Sequence, residues 1–305
     1  MSLVGQIKGK GPNGFGYGST AEEVTRGLDL TGKNYLVTGA NSGLGLETVR
    51  VLARAGATVW GTGRTAEKVK AAWTGMQGEL HPLECELAEP GSVRACVSAL
   101  QQTGRRFDAL ICNAGVMALP RLELACGYEK QFFTNHIGHF LLVTGLSDVL
   151  TDVGRVVLLS SEAHRMAPPG GIQFDNLRGE KKYHPWAAYG QSKLANLLFA
   201  KELARRWAGS QRAVNAVHPG VIGTNLWRNM PRMLSALVKA TSPLFLKSVS
   251  EGAATECYVA THPDAAKISG AYFKDCNEAE PTALAKDAHL ARRLWSESET
   301  IAASL

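Results

Sequence analysis

From Lys33 onward, short apolar runs alternate with segments whose apolar residues recur every three or four positions. The runs predict strands at Asn34–Thr38, Thr58–Thr62, Glu79–Glu84, Ala109–Cys112, Arg155–Leu159, Ala213–Val217 and Gly270–Phe273. The periodic segments predict helices at Leu46–Ala55, Ser92–Gln102, Tyr128–Val149, Ala187–Arg206 and Gly252–Thr261. Strands that alternate with helices imply βαβ units, hence a parallel sheet covered on both faces. No linker and no internal repeat divides the chain. The expected fold is α/β: a doubly wound parallel sheet of about seven strands in a single domain over residues 31–305. Ligands of such sheets sit at the carboxyl ends of the strands.

Residues 1–30 follow a different pattern. Gly11, Gly14, Gly16 and Gly18 crowd the stretch between Lys8 and Thr20, too densely for a regular element. Ser19 or Thr20 ahead of Glu22 and Glu23 then predicts a helix start, with Gly27 as its end. We expect a short helix in an N-terminal extension, packed outside the main sheet.

Composition narrows the class. Of 305 residues, 45% are hydrophobic and 20% charged, which excludes a disordered chain, collagen and a coiled coil. The 33 Lys and Arg exceed the 27 Asp and Glu by a dispersed +6, so no nucleic-acid footprint is expected. The six cysteines (Cys85, Cys96, Cys112, Cys126, Cys257, Cys276) form no CxxC pair. Several lie in apolar runs, so a reducing, cytoplasmic setting is expected. The N-terminus lacks the apolar core of a signal peptide, and no apolar stretch is long enough for a membrane span.

The first strand ends in Thr38-Gly39-Ala40-Asn41-Ser42-Gly43-Leu44-Gly45 and a helix follows at once. Glycines allow a tight turn and close approach to a phosphate, and the helix N-terminus offers N–H groups to a pyrophosphate. The spacing is GxxxGxG, and the alternative is a tight βα turn with no ligand. An acidic residue about 20 positions on would bind the ribose hydroxyls of NAD(H). Here Gly63-Arg64 stands instead, with Arg64 19 residues beyond Gly45. A guanidinium suits a 2′-phosphate, so NADP(H) is expected over NAD(H).

Farther on, Tyr189 and Lys193 are four apart on a helix and share a face. A nearby ammonium favours the phenolate, so the tyrosine is expected to have a lowered pKa and to act as general acid or base. With Asn113-Ala114-Gly115, Asn135, Ser160-Ser161 and Pro219-Gly220 with Thr224 in order, the chain resembles the short-chain dehydrogenase/reductase family. The stretches STAEEV, NHIGHF, SSEAHR and YGQSKLAN are similar to its branch of retinol-dehydrogenase-like and WW-domain-oxidoreductase-like proteins. The resemblance spans about Thr31 to Phe273 and implies a Rossmann-like fold.

It also implies roles. Tyr189 would be the proton donor and acceptor. Lys193 would bind the nicotinamide ribose and lower the Tyr189 pKa. Ser161 would polarise the substrate carbonyl, and Asn135 would hold a water linking Lys193 to solvent. The cofactor-binding set would be Gly39, Asn41, Ser42, Gly43, Leu44, Gly45, Arg64, Glu86, Leu87, Asn113, Ala114, Gly115, Tyr189, Lys193, Pro219, Gly220, Val221, Ile222 and Thr224. Subunits would pair, as a homodimer or homotetramer, through the helices containing Asn135 and Tyr189.

Two features depart from the family pattern. Glu86 stands where the family usually has Asp, and Ser161 and Tyr189 lie 28 residues apart, with residues 162–186 between them as an inserted loop. His136 and His139 read as helix-packing residues, with no third metal ligand evident. His164 reads as structural, though near the cleft. Residues 225–246 carry apolar residues at helical spacing with Arg228, Arg232 and Lys239. They read either as a peripheral membrane helix or as a substrate lid at about 225–250, and their position favours the lid. The function expected is NADP(H)-dependent hydride transfer between nicotinamide and a carbonyl or alcohol of a bulky, largely apolar small molecule. The alternative is a dinucleotide-binding regulator without turnover.

Overall fold

The structure, a computed structural model, describes residues 9–222 and 246–305. Its strands are β1 (Asn34–Thr38), β2 (Thr58–Gly63), β3 (Leu80–Glu84), β4 (Phe107–Cys112), β5 (Leu124–Ala125), β6 (Tyr128–Glu129), β7 (Leu150–Leu159), β8 (Ala213–His218), β9 (Tyr272–Lys274) and β10 (Asn277–Glu278). Its α-helices are α1 (Ala21–Thr25), α2 (Gly43–Arg54), α3 (Ala66–Ala72), α4 (Pro90–Gln102), α5 (Lys130–Phe132), α6 (Gly138–Gly145), α7 (Pro185–Arg206), α8 (Val249–Thr261), α9 (Ala283–Lys286) and α10 (Ala288–Ser304).

The strands form one sheet in the order β10-β9-β8-β7-β4-β1-β2-β3, and β5 pairs with β6 in a separate hairpin. All neighbours in the sheet are parallel except β9 and β10. The chain winds outward from β1 to β3, then returns to β4 on the other side of β1. That reversal opens a crevice at the carboxyl ends of β1 and β4.

The central strands read as near-continuous apolar runs because both faces are buried. Val37, Val59, Ile111, Val157 and Val217 pack with α1, α2 and α8 on one side. Leu36, Leu110, Leu158 and Val214 pack with α4, α6, α7 and α10 on the other. Helix α1 begins with a capping box between Thr20 and Glu23 and packs on α2 and α8, outside the sheet.

Four expectations are corrected. The sheet has eight strands, because two residues, Asn277 and Glu278, fold back antiparallel on β9. The expected Tyr128–Val149 helix is not continuous. Tyr128 and Glu129 belong to the hairpin, Phe133–Ile137 is a π-helical turn between α5 and α6, and Ser147–Val149 is a 3-10 turn. Strand β7 starts at Leu150, five residues before the apolar run, since its first half borders solvent. The last parallel strand starts at Tyr272, after the turn at Gly270. Thr224 and most of the expected 225–250 lid lie outside the described residues.

Candidate active site

The glycine turn is built around Thr38. Its carbonyl accepts a bond from Asn113 Nδ2 at 2.7 Å, and its hydroxyl accepts one from the Ala114 N–H at 3.0 Å. This ties the ends of β1 and β4 together at the crevice. A Cβ on Gly45 would lie 2.4 Å from the Gly39 carbonyl oxygen and 2.5 Å from Asn113 Nδ2, so only glycine lets α2 start this close to the turn. Ser42 stands at the N-cap in extended conformation, its side chain making no cap bond, and the first turn of α2 holds no acidic residue. Gly43, Leu44 and Gly45 therefore present free N–H groups and a positive dipole end to the crevice. Such a cradle fits a dinucleotide pyrophosphate.

At the end of β2, a Cβ on Gly63 would meet Val69 Cγ2 at 2.7 Å and approach Asn41 Oδ1 at 3.4 Å. The neighbouring Arg64 is exposed and enters no ion pair among the described residues. Glu86 is turned back on its own loop, where Oε1 accepts the Ala88 N–H at 3.2 Å. Leu87 is buried, its carbonyl against Gly138. Gly220 has φ +94° and lies against Lys247, while Val221 is exposed and Ile222 buried beyond Pro219.

The second half of the site forms where β7 and α7 meet. Lys193, buried on α7, donates through Nζ to the Leu159 carbonyl at 3.0 Å, and Ser160 Oγ donates back to the Lys193 carbonyl at 2.8 Å. The next residue, Ser161, caps the turn Glu162–Met166, with its Oγ accepting from the Ala163 N–H at 3.2 Å. Ser161 also neighbours the Tyr189 hydroxyl, on which its side chain exerts a pKa-lowering, hydrogen-bonding influence. Lys193 Nζ stands 5.6 Å from the centre of the Tyr189 ring. A Cβ on Gly115 would lie 3.0 Å from Asn135 Oδ1 and 3.6 Å from Lys193 Nζ. Gly115, Asn135, Ser161, Tyr189 and Lys193 are thus brought into one cluster at the carboxyl edge of the sheet.

The electrostatics differ from the expectation in one respect. Tyr189 is pushed up to about 12 by burial, against which the Ser161 hydrogen bond is the one lowering influence. Lys193 does not lower it here. Its ammonium is committed to the Leu159 carbonyl, and burial brings its own pKa down to about 8. Desolvation outweighs charge attraction for both groups.

Asn135 lies in the π turn and is fully buried. Its Oδ1 accepts the Val116 N–H at 2.8 Å, and its Nδ2 donates to the Val116 carbonyl and to Ser192 Oγ, both at 2.9 Å. The side chain is a strut between the loop after β4 and α7. The main-chain carbonyl of Asn135 faces His139 Nδ1 at 3.0 Å, and His139 Nε2 faces Thr38 Oγ1 at 2.9 Å. Since the Asn135 carbonyl can only accept, the neutral ring carries its proton on Nδ1, and Nε2 accepts the Thr38 hydroxyl proton.

The family model for short chain dehydrogenases matches residues 33–235. The chain belongs to the short-chain dehydrogenase family. It is 40% identical to short-chain dehydrogenase TIC 32 A, chloroplastic, of Brassica napus, with 100% of both chains covered. It is 38% identical to retinol dehydrogenase 14 of Homo sapiens, covering 93% of this chain and 91% of the relative. Among solved structures, the angucycline C-6 ketoreductase LanV with bound NADP superposes with a TM-score of 0.65. That match is at 27% identity over 80% of this chain and 94% of LanV.

One residue of this dehydrogenase was not singled out from its sequence. A Cβ on Gly190 would lie 2.6 Å from the Ala163 carbonyl oxygen and 2.7 Å from the Ala167 nitrogen. Both are main-chain atoms and cannot swing aside. Gly190 therefore lets α7 seat against the turn that carries Ser161. Gly190→Ala should part Ser161 from Tyr189, with a loss of turnover of about 100-fold and destabilisation of about 1–3 kcal/mol. Paired kinetics and thermal melts would check this, and near-wild-type turnover would show that the contact relaxes without cost.

Proposed function

We propose that this dehydrogenase uses NADP(H) to move hydride between nicotinamide and a carbonyl or alcohol on a bulky, largely apolar small molecule. The observation that carries the reading is the cluster of Ser161, Tyr189 and Lys193 beside the glycine turn. When bound, the nicotinamide supplies or accepts the hydride. Every other element of the chemistry falls to main-chain and side-chain groups of this chain. Gly43–Gly45 would hold the pyrophosphate, Arg64 the 2′-phosphate, and Lys193 the nicotinamide ribose. The serine hydroxyl and the Tyr189 phenol would donate to the carbonyl oxygen as charge grows there, and Tyr189 would then release its proton to it.

The cofactor preference rests on the end of β2. No side chain fits at Gly63 without displacing Val69, so no carboxylate stands there to repel a 2′-phosphate. Arg64 next to it has no competing anion among the described residues. A charge-assisted contact is worth roughly 1.5–3 kcal/mol. Arg64→Ala should therefore weaken NADPH binding by about 10–100-fold and leave NADH almost unchanged, as read by fluorescence titration. Equal losses for both cofactors would remove Arg64 from the argument.

The substrate class rests on the rim. Met166, Trp186 and Val221 are large apolar residues left exposed, at 49%, 39% and 50%, and all three adjoin site residues. Trp186 meets the Tyr189 ring edge-on at 6.3 Å. The name of the human relative, a retinol dehydrogenase, agrees with an apolar alcohol or aldehyde. A panel of apolar ketones and aldehydes with NADPH tests this reading. Tight cofactor binding without turnover on any of them would favour a regulator.

A further inference from the structure

The turn that carries Ser161 is held by its carbonyl as well as by its hydroxyl. His164, three residues on, is 1% exposed. Its Nδ1 lies 2.7 Å from the Ser161 carbonyl oxygen, and its Nε2 lies 3.2 Å from the main-chain nitrogen of Thr282. A carbonyl can only accept and a main-chain N–H can only donate. The proton of the ring is thereby fixed on Nδ1, and the ring is neutral. Burial, which lowers its pKa, agrees with that state. A ring flip would set carbons in place of both nitrogens and break both bonds, and Tyr272 packs edge-on at 5.4 Å.

Two other contacts join this turn to the C-terminal part of the chain. Arg165 donates to the Glu280 carbonyl at 3.1 Å, and Lys274 pairs with Glu162 at 3.0 Å. Arg165 also pairs with Glu162 at 2.7 Å. All are solvent-accessible and weak for that reason. The imidazole is the buried link. It spans from Ser161 to the start of α9, 118 residues away in sequence.

We propose that His164 is a positioning residue for the reaction, whose fixed Nδ1–H bond to the Ser161 carbonyl holds the Ser161 hydroxyl in register with Tyr189. This rests on the hydride-transfer reading above. The Ser161 hydroxyl has little freedom to compensate on its own. Its oxygen already accepts from Ala163, so its direction follows the main chain, and the main chain is set at the carbonyl that His164 grips. Sub-ångström errors in such donors are costly, and a displacement of about 1 Å can cost about 100-fold.

The test has a kinetic arm and a spectroscopic arm. His164→Ala should lower kcat by about 10–100-fold with NADPH affinity changed less than about twofold. His164→Asn, whose amide can donate from near the place of Nδ1, should recover a large part of that loss. In a Ser161→Ala background the added His164→Ala change should cost less than about twofold, because the two act through one group. Additive losses, or equal losses for Ala and Asn, would overturn the proposal. Nitrogen-15 NMR of the imidazoles, assigned with His164→Asn, should find His164 neutral with its proton on Nδ1; a charged ring or an Nε2–H tautomer also overturns it. If the wild type reduces no carbonyl, the hydride-transfer reading fails separately. The Tyr189 Cζ carbon-13 resonance, assigned with Tyr189→Phe, then decides: His164→Ala should move it and His164→Asn restore it, and an unmoved resonance refutes the coupling.

Discussion

Replacing Tyr189 with phenylalanine is expected to lower carbonyl reduction by about 10²–10⁴-fold while NADPH affinity changes only a few-fold. The substitution keeps the ring and its edge contact with Trp186, and removes only the hydroxyl. That hydroxyl is the group whose pKa the neighbouring Ser161 side chain lowers. Its pKa, raised by burial to about 12, keeps it a phenol throughout the neutral range. A phenol is an acid, so the resting enzyme is poised to give a proton to a nascent alkoxide. Alcohol oxidation needs the phenolate instead. Oxidation should therefore rise about tenfold per pH unit through the neutral range, while reduction stays flat over the same range. Initial rates in both directions, from pH 6 to 9, would separate these slopes. A Phe variant with more than about a tenth of wild-type turnover would remove Tyr189 as the proton donor.

The pattern of strands was legible because burial on both faces leaves unbroken apolar runs, as in Tyr35-Leu36-Val37 and Ala109-Leu110-Ile111. Less was legible where local sequence and tertiary packing disagree. Phe133-Thr134-Asn135-His136-Ile137 contains no helix breaker, yet it opens into a π turn that sets Asn135 against Val116 and Ser192. Helix α10 was overlooked although its signals are present. Asp287 caps it, and Leu290, Leu294, Trp295 and Ile301 form its buried stripe.

The site divides in the same way. Tyr189 and Lys193 could be found from residue type and helical spacing, and Ser161 from the resemblance to the family. Their supports could not. Thr282 reaches His164 across 118 residues and Thr38 reaches His139 across 101, distances over which sequence alone carries no contact information. The same distance hides the steric role of Gly190. The Tyr189 pKa was misjudged for a related reason. Spacing places Lys193 near the ring, but only the fold commits its ammonium to Leu159 and buries both groups.

Mild acid should destabilise this protein more than its carboxylates alone would. Burial holds His136 down to about 3, and His139 and His218 to about 4. Nδ1 of His136 and Nδ1 of His218 have no hydrogen-bond partner among the described residues, and for both rings burial outweighs every influence that favours a proton, including Glu162 and Asp275 near His218. An unfolded histidine titrates near 6.5. Below that pH the unfolded state binds protons that the folded state refuses, so stability falls as pH falls and is unaffected above it. At about 1.4 kcal/mol per unit, the three rings together cost about 8 kcal/mol by pH 4.5. Two buried carboxyls oppose them, and burial raises Glu129 as well as Glu256. Glu256 is buried against the Thr48 hydroxyl and raised to about 7, so the folded state takes up its proton first and gains about 3 kcal/mol over the same range. Set against Glu256 alone, the histidines prevail by about 5 kcal/mol, comparable with the whole stability of many domains. Urea unfolding at pH 7 and pH 4.5 should register that loss, and His136→Leu should remove close to a third of the histidine contribution. Equal stability at the two pH values would mean that one or more of these rings is protonated in the folded protein at little cost.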